Sequence, residues 1–309
     1  MHRNLHARDR ECIARDSEPD DLEVARSDGG LVIDARGRRY IDFSVGWNVG
    51  NLGWTRPEIR RRMSRFDGPI YVEPGFLYRP WVELAELLVG MAPGPKLTTC
   101  FRVATGTEAV EVALQAAMAH TERRAFVSIE DSYHGNSVGA KSVGASDYRE
   151  RLGNLMSRCH KIEPPLDGRA AERVERLLRK RDVAAFIMEP VLTNLGVLIP
   201  EREFMERVRE ACRERGTLFV MDEVSTGFGR TGRLFATEHY GIEPDVLCLG
   251  KSITGGCAPL ATTITSRSIA RSLEFEDGFY STYGWHPLAV EAAIANLQFL
   301  ARHREQLLG

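Results

Sequence analysis

The sequence predicts an α/β protein with a mostly parallel central sheet that is covered by helices on both faces. From about residue 96 onward, short apolar runs alternate with stretches that have the helical period. The runs are TCFRVA, RAFVSI, AAFIMEP, TLFVMDEV, DVLCLG and LATTIT, whose continuous apolar character is typical of buried strands. With 309 residues, 43% of them apolar, the chain can bury one large core or two smaller ones.

Net charge and cysteine content narrow the class of partner. The formal net charge of −2 gives no broad basic field, so we expect neither nucleic acid nor a membrane surface as a partner. No apolar run approaches the roughly 18 residues of a membrane span, and the N-terminal residues mix acids with bases. The six cysteines form no C-x-x-C pair, and several lie in apolar runs. We therefore expect buried thiols in a reducing compartment, the cytoplasm, and a small-molecule partner.

The N-terminal part of the chain has its own pattern. Residues 1–22 are charged and poorly periodic, and we expect a flexible arm there. The following segment LVIDARGRRYIDF predicts two short strands joined by a turn at Gly37, so the ordered protein is expected to begin at about residue 23.

Two helices can be predicted with their ends. Thr105 and Glu108 form the T-x-x-E pattern of a helix start, which places the first helical residue near Gly106. A second, amphipathic helix is expected from Pro287 to His303, because proline is favoured in the first turn of a helix. The apolar positions that recur with the helical period in the first helix are Ala109, Val110, Ala113, Leu114, Ala117 and Met118.

Lys251 is the first candidate for chemistry. The chain has only five lysines, and this one follows an apolar strand and precedes a glycine-bounded turn. Ligands of open α/β sheets bind beyond the carboxyl ends of the strands. Partial desolvation there lowers the pKa of an amine and makes it a nucleophile that can form a Schiff base with a carbonyl. A surface lysine after a strand is the alternative. A phosphate-binding P-loop that ends with Gly250, Lys251 and Ser252 is excluded, because its first glycine would fall on Asp245.

Asp222 and the turn before the first helix are further candidates. Asp222 ends the run TLFVMDEV, and a carboxylate there can hold a protonated pyridine nitrogen; an Asp that caps a turn is the alternative. Thr105, Gly106, Thr107 and Glu108 follow a strand and start a helix, so backbone N–H groups converge on a site suited to a phosphate monoester. A capping box without a ligand would produce the same sequence.

Two more segments leave alternatives open. Tyr133, in the string SYHG, follows the strand RAFVSI and can stack on a flat heteroaromatic ring, although such an aromatic can also belong to the core. Residues 227–232, GFGRTG, match the dinucleotide pattern G-x-G-x-x-G with Asp245 as a ribose acid, which predicts a dehydrogenase. Polar residues between the strand and the glycines favour a glycine-rich surface loop instead.

Six strings in register resemble the successive motifs of the class III pyridoxal-phosphate-dependent aminotransferases, a fold type I family. They span about residues 24 to 300 and are TGTEAVEVAL, DSYHG, FIMEP, MDEVSTGFGRTG, LGKSITGG and STYGWHPLA. The resemblance implies the fold type I large domain and pyridoxal 5'-phosphate as the cofactor. It also implies transfer of an amino group from an amino acid or amine to a keto acid or aldehyde, without a metal.

The resemblance assigns roles to individual residues. Lys251 would carry the cofactor as a Schiff base and move the proton, Asp222 would pair with the pyridine nitrogen, and Thr282 would reach the phosphate in the neighbouring subunit of a homodimer. The other implied contacts are Gly106 and Thr107 with the phosphate, Tyr133 and Val224 with the two faces of the ring, Glu189 with the ring and substrate side, and Trp47 with the substrate.

The resemblance also divides the chain. Residues 23–95 would contribute to a small domain and to the substrate pocket, and residues 96–309 would form the large cofactor-binding domain with the interdomain helix. The family continues for about one more domain, which we expect to be absent here. That domain commonly supplies an Arg for substrate carboxylates or for the Glu189 position. An aminomutase, a racemase, a decarboxylase or a non-catalytic cofactor-binding relative therefore remain alternatives.

Overall fold

The computed structural model describes residues 4–274 and 278–308. The strands are β1 (Val24–Asp28), β2 (Leu31–Asp34), β3 (Arg39–Ile41), β4 (Thr99–Val103), β5 (Ala125–Ile129), β6 (Cys159–Ile162), β7 (Val183–Met188), β8 (Leu218–Asp222), β9 (Val246–Leu249) and β10 (Ala261–Thr265). The helices are α1 (Leu5–Cys12), α2 (Val45–Asn48), α3 (Pro57–Ser64), α4 (Arg79–Met91), α5 (Gly106–Thr121), α6 (Val138–Val143), α7 (Asp147–Leu152), α8 (Gly168–Leu178), α9 (Arg202–Arg215), α10 (Arg267–Arg271), α11 (Pro287–Arg302) and α12 (Arg304–Leu307). Short 3-10 helices cover Thr193–Leu195, Ala236–His239 and Lys251–Thr254.

The central sheet has seven strands in the order β4-β10-β9-β8-β7-β5-β6. Strands β5 to β9 pair in parallel, and β10 is antiparallel to both of its neighbours. The prediction of a mostly parallel sheet is confirmed, and each of the six apolar runs forms a strand. Strand β6 was not predicted, because it pairs only with β5 and its sequence CHKI lacks a continuous apolar run.

Buried apolar side chains cover both faces of this sheet. In β8, Phe219 faces one cluster and Val220 faces the other, as the alternation of side chains along a strand requires. Helices α4, α8, α9 and α11 add residues to the cluster of Phe219, and α5, α6 and α10 add residues to the cluster of Val220. Complete burial of one such side chain stabilises the fold by about 1.5–3 kcal/mol. The prediction of helices on both faces is confirmed.

The two predicted helices begin where the sequence places them. The Thr105 hydroxyl accepts from the Glu108 N–H at 3.2 Å, and the Glu108 carboxylate accepts from the Thr105 N–H at 3.2 Å, so the capping box forms. Helix α11 ends at Arg302. It is buried along most of its length rather than amphipathic, because it packs against α3, α4 and the segment Lys251–Thr254.

A smaller antiparallel sheet lies in the N-terminal part of the chain. Strands β2 and β3 form the predicted hairpin, and Gly37 in its turn has a φ of 79°. Strand β1, which was not predicted, pairs with β2. The segment expected to be a flexible arm contains helix α1 (Leu5–Cys12), none of whose residues is buried.

The cysteines and the helix lengths bear on the remaining expectations. All six cysteines are unpaired; Cys212 and Cys248 are buried, whereas Cys12 is exposed, so the expectation of buried thiols is wrong for Cys12. Within residues 4–274 and 278–308, no helix has the length and apolar character needed to cross a membrane.

Candidate active site

The carboxyl ends of parallel strands bring most of the predicted site residues to one edge of the sheet. Strand β9 leads into Lys251, β8 ends at Asp222, and β7 precedes Glu189. Tyr133 follows β5, and Gly106 opens α5 directly after β4. This is the edge at which open α/β sheets bind their ligands.

Lys251 lies at this edge in a conformation that is rare for a side chain with a Cβ. Its φ is 43°, in the left-handed region, and such strain persists only where the surrounding structure imposes it. The Lys251 ammonium donates a hydrogen bond to the Ser225 hydroxyl. Burial lowers the pKa of Lys251, and the nearby Arg230 lowers it further, while the Asp222 and Glu189 carboxylates act in the opposite direction. The lowered pKa agrees with the expectation from the sequence.

Asp222 is held by two hydrogen bonds in a buried environment. Asp222 is only 3% exposed to solvent. One carboxylate oxygen lies 2.7 Å from Nδ1 of His134, and the other accepts from the Val224 N–H at 3.1 Å. His134 Nε2 is buried and has no hydrogen-bond partner among the described residues. The sequence interpretation gave His134 no role, because its partner is 88 residues away along the chain.

Glycines allow three loops to meet beside the start of α5. A Cβ on Gly106 would lie 2.7 Å from Cγ1 of Val224, and one on Gly250 would lie 3.4 Å from the same atom. A Cβ on Gly135 would lie 2.5 Å from Oγ1 of Thr107. The space between Gly106, Gly135, Gly250 and the start of α5 forms a cradle. The first N–H groups of a helix have no partner within the helix, so the start of α5 offers hydrogen-bond donors at the bottom of this cradle. Val224 gives this space an apolar wall, and free N–H groups at a helix start are suited to an anion.

Glu189 is a buried carboxyl group near the lysine and the aspartate. It is 2% exposed, and it accepts from the Thr193 hydroxyl at 2.8 Å and from the Thr193 N–H at 3.3 Å. Burial, and next the negative charge of Asp222, raise the pKa of Glu189 to about 8. The raised pKa favours the protonated form of Glu189, which would not compete with Asp222 for a cation.

Tyr133 borders the site with part of its side chain in solvent. It is 39% exposed, and its hydroxyl accepts from the Asn136 amide at 3.0 Å. Asn136 also donates its backbone N–H to the Thr107 hydroxyl at 3.4 Å. The segment after β5 is therefore bonded to the start of α5.

Two predicted residues are not enclosed with the others. Trp47 is 81% exposed in a left-handed turn, with a φ of 61°, and Thr282 is exposed. The backbone beside Trp47 nevertheless reaches the lysine loop, because the Asn48 carbonyl accepts from the Ser252 hydroxyl at 2.9 Å. Among the described residues, neither side chain forms a hydrogen bond with the groups at the sheet edge.

Arg230 is a charged residue at the site to which the sequence interpretation gave no role. Its guanidinium donates to the Asn51 side-chain oxygen, its Nε is buried without a hydrogen-bond partner, and burial lowers its pKa. Among the described residues, no carboxylate forms an ion pair with it. Residues 227–232 form a loop that leads to the 3-10 helix Ala236–His239 and no α-helix follows directly, so the dinucleotide-binding interpretation is wrong.

The profile of the aminotransferase class-III family matches residues 12–308. The chain belongs to this class III aminotransferase family. It is 34% identical over 291 residues to a putrescine aminotransferase of Pectobacterium atrosepticum, covering 90% of this chain and 61% of that protein. It is 35% identical over 286 residues to an acetylornithine aminotransferase of Methanosarcina mazei, covering 92% of this chain and 69% of that protein. The chain thus spans roughly two thirds of these relatives.

Solved structures of class III aminotransferases have the same fold. The taurine:2-oxoglutarate aminotransferase of Bifidobacterium kashiwanohense, in complex with pyridoxal phosphate and glutamate, has a TM-score of 0.90 at 27% identity. That comparison covers 97% of this chain and 73% of the other. The adenosylmethionine-8-amino-7-oxononanoate aminotransferase of Methanocaldococcus jannaschii has a TM-score of 0.90 at 30% identity, covering 97% and 75%. The predicted fold type I architecture is confirmed.

Proposed function

We propose that this chain is a pyridoxal-phosphate-dependent aminotransferase that moves an amino group from an amino acid or amine to a keto acid or aldehyde. The observation that carries the proposal is the convergence of Lys251, Asp222 and the Gly106 turn at one edge of the sheet. Membership of the class III aminotransferase family supports it. The two relatives are named for an amine, putrescine, and for an amino acid, acetylornithine.

The residues present fit pyridoxal 5'-phosphate. The cradle at Gly106, which a Cβ would fill, suits the phosphate, with Thr107 as a hydroxyl ligand. The buried Asp222 suits a protonated ring nitrogen, and Tyr133 and Val224 would cover the two faces of the ring. When bound, the cofactor supplies a carbonyl that condenses with amines and a ring that withdraws electrons from the bond to be broken.

Lys251 and Asp222 would divide the catalytic work. Because burial and Arg230 lower the pKa of Lys251, more of its Nζ is neutral at physiological pH and able to act as a nucleophile and then as a base. The hydrogen bond to Ser225 orients Nζ. Asp222, fixed by His134 and by the backbone, would stabilise positive charge at the ring nitrogen of the cofactor. The raised pKa of Glu189 favours its neutral form, which would border the reacting groups without opposing that charge.

A homodimer is part of this proposal. Residues 70–77 and 280–283 carry large apolar side chains in solvent, and the rings of Tyr71 and Tyr283 lie 6.1 Å apart, so the two segments form one surface. An exposed apolar surface of this kind favours association, and in a symmetric dimer it would meet its own copy. Thr282 would then reach the phosphate in the partner's site. The exposed members of this surface are Ile70, Tyr71, Phe76, Leu77, Tyr280 and Tyr283.

The N-terminal segment would complete the substrate side. We propose that residues 23–95 contribute to a small domain, that residues 96–309 form the large cofactor-binding domain, and that Trp47 faces the substrate. The hydrogen bond between Asn48 and Ser252 supports this, because it joins the Trp47 turn to the lysine loop. Six unpaired cysteines support a location in the cytoplasm, where thiols stay reduced.

The absorbance spectrum of the purified protein with pyridoxal phosphate tests the proposal. We expect a visible band that Lys251→Ala abolishes and that changes when an amino donor is added, with a keto product released in stoichiometric amount. Lys161→Met is the matched control, because Lys161 is another part-buried amine, whose pKa burial lowers to about 8, and it lies on β6. Absence of a band in the unchanged protein would refute cofactor binding. A band that no donor alters would indicate a non-catalytic relative, and isomerised or racemised amino acids would indicate the alternative reactions.

A further inference from the structure

Residues 281–284 form a turn that is fixed at its base and exposed at its tip. The Gly284 N–H donates to the Ser281 carbonyl at 3.0 Å, and a Cβ on Gly284 would collide with a carbonyl oxygen of β4. Trp285, the next residue, is 1% exposed, and its indole N–H donates to a carbonyl of β10 at 2.9 Å. Thr282 at the tip is exposed. The turn is therefore anchored at Gly284 and Trp285, whereas Thr282 at its tip lies in solvent.

The hydroxyl of Ser281 connects this turn to the start of α5. It donates to one carboxylate oxygen of Glu108 at 3.1 Å, across 173 residues of sequence. The other Glu108 oxygen accepts from the Ala104 N–H at 2.7 Å and from the Thr105 N–H at 3.2 Å. One side chain thus bonds both the backbone that enters the phosphate cradle and the turn that carries Thr282.

We propose that Glu108 and Ser281 are positioning residues that couple the two cofactor sites of the dimer. The inference rests on the proposed function, since it takes Gly106 and Thr107 to hold one phosphate and Thr282 to reach the partner's. Each chain then connects its own phosphate cradle to the threonine that it supplies to the other site. The sites communicate through two hydrogen-bonding side chains rather than through a movement of domains.

The direction of the coupling follows from ordering. A phosphate at the first turn of α5 restricts the backbone there, and with it the Glu108 carboxylate that caps the two preceding N–H groups. The second oxygen of Glu108 then holds Ser281, and the adjacent Thr282, in one position in the other site. The second cofactor meets a site that is already ordered, so it binds more tightly than the first. By linkage the effect is reciprocal, and the two sites show positive cooperativity.

Cofactor titration of the apo-dimer tests the coupling. Tryptophan fluorescence, at a protein concentration below the dissociation constant, is followed as pyridoxal phosphate is added. We expect a Hill coefficient above 1 for the unchanged protein and of about 1 for Ser281→Ala, with an average affinity roughly two- to ten-fold lower. Ser281→Thr keeps the hydroxyl and should restore the coefficient.

A matched control and a second variant make the test specific. Ser146→Ala removes another hydroxyl that donates to a carboxylate, that of Glu130 at 2.6 Å, and should keep the cooperativity. If Ser281→Ala does not assemble, Glu108→Met replaces it, because a thioether side chain of similar length has neither carboxylate oxygen, whereas the amide of a glutamine can still donate to the Ser281 hydroxyl. Its coefficient should also be about 1.

The outcomes separate this inference from the proposed function. A dimer that binds the cofactor with a Hill coefficient of 1 overturns the coupling and leaves the proposed function standing. Cooperativity that survives in both Ser281→Ala and Glu108→Met also overturns it. A protein that binds no pyridoxal phosphate refutes the proposed function, and the coupling fails with it.

Discussion

The candidate residues at the carboxyl edge of the central sheet are mostly buried, whereas those on the turns outside it are exposed to solvent. Asp222 is 3% exposed and bonded on both carboxylate oxygens, and Lys251 and Glu189 lie beside it. Trp47 is 81% exposed, and Thr282 stands at the tip of a solvent-facing turn. The first group is preorganised by its own chain, as catalysis through charge requires. The second group acquires a defined environment only when another surface covers it.

Asp222→Asn should have the largest effect, because it removes the charge that the sheet edge is built to hold. We expect kcat to fall roughly 10²- to 10³-fold, as for the loss of other preorganised electrostatic groups. Steady-state turnover with saturating amino donor and carbonyl acceptor measures kcat. Asp245→Asn is the control, since Asp245 lies away from the site and forms an ion pair with Arg209 at 2.9 Å. Its loss should affect stability rather than kcat. Equal losses of kcat in both variants would contradict the role of Asp222.

Glu189→Gln should change how the apo-protein's stability depends on pH. The pKa of Glu189 is raised to about 8 in the folded state, from an ordinary value near 4.5. The contribution of Glu189 to the free energy of unfolding is therefore largest below about pH 4.5. It decreases as pH rises through 8, by up to a few kcal/mol. Glutamine resembles the protonated form and does not titrate, so the decline between these pH values should diminish. Thermal unfolding from pH 5 to 8 measures this, and parallel curves for the two proteins would contradict it.

Gly106→Ala probes the space at the phosphate cradle. The added Cβ meets Val224 at 2.7 Å, so we expect a loss of about 1–3 kcal/mol in unfolding free energy and weaker cofactor binding. Val224→Ala should recover part of both losses in a double-mutant cycle. Gly90→Ala in α4 is the control, because nothing lies within 4 Å of its Cβ position, and it should be neutral or stabilising. A Gly106→Ala protein with unchanged cofactor affinity would show that the cradle is not used.

Arg230→Met should have the smallest effect, a shift of a pH profile. Arg230 lowers the pKa of Lys251, so removal of its charge raises that pKa. A base must be unprotonated to act, so the rising limb of kcat, which reports groups in the enzyme–substrate complex, should move to higher pH. Arg230→Lys keeps the charge and should shift less. A profile that moves to lower pH, or does not move, would contradict the electrostatic link.

The features predictable from sequence are those that local rules determine. The start of α5 follows from Thr105 and Glu108 being three residues apart, and the positions of Asp222 and Lys251 follow from apolar runs that end just before them. Strand β6 was missed in the sequence because it lies at the edge of the sheet, where a strand needs no continuous apolar run. The bond from His134 to Asp222 joins residues far apart in sequence, which no periodicity reports.

The exposed turns were harder to interpret for a physical reason. Trp47 and Thr282 were assigned through the family resemblance, since neither lies in a periodic segment. The link from Ser281 to Glu108 was not expected either, because the same Glu108 already satisfies the local capping pattern. A residue with one predictable role gives no signal of a second one.

Subunit complementation tests the shared site most directly. Lys251→Ala and Thr282→Asp are purified as separate dimers, each of low activity, and are then mixed under conditions that allow exchange of subunits. In a mixed dimer, one site combines the unchanged Lys251 of one chain with the unchanged Thr282 of the other. We expect recovery of about a quarter of the wild-type activity, because about half of the dimers are mixed and half of the sites in each mixed dimer are intact. A mixture that exchanges subunits and gains no activity would contradict a site built from both chains.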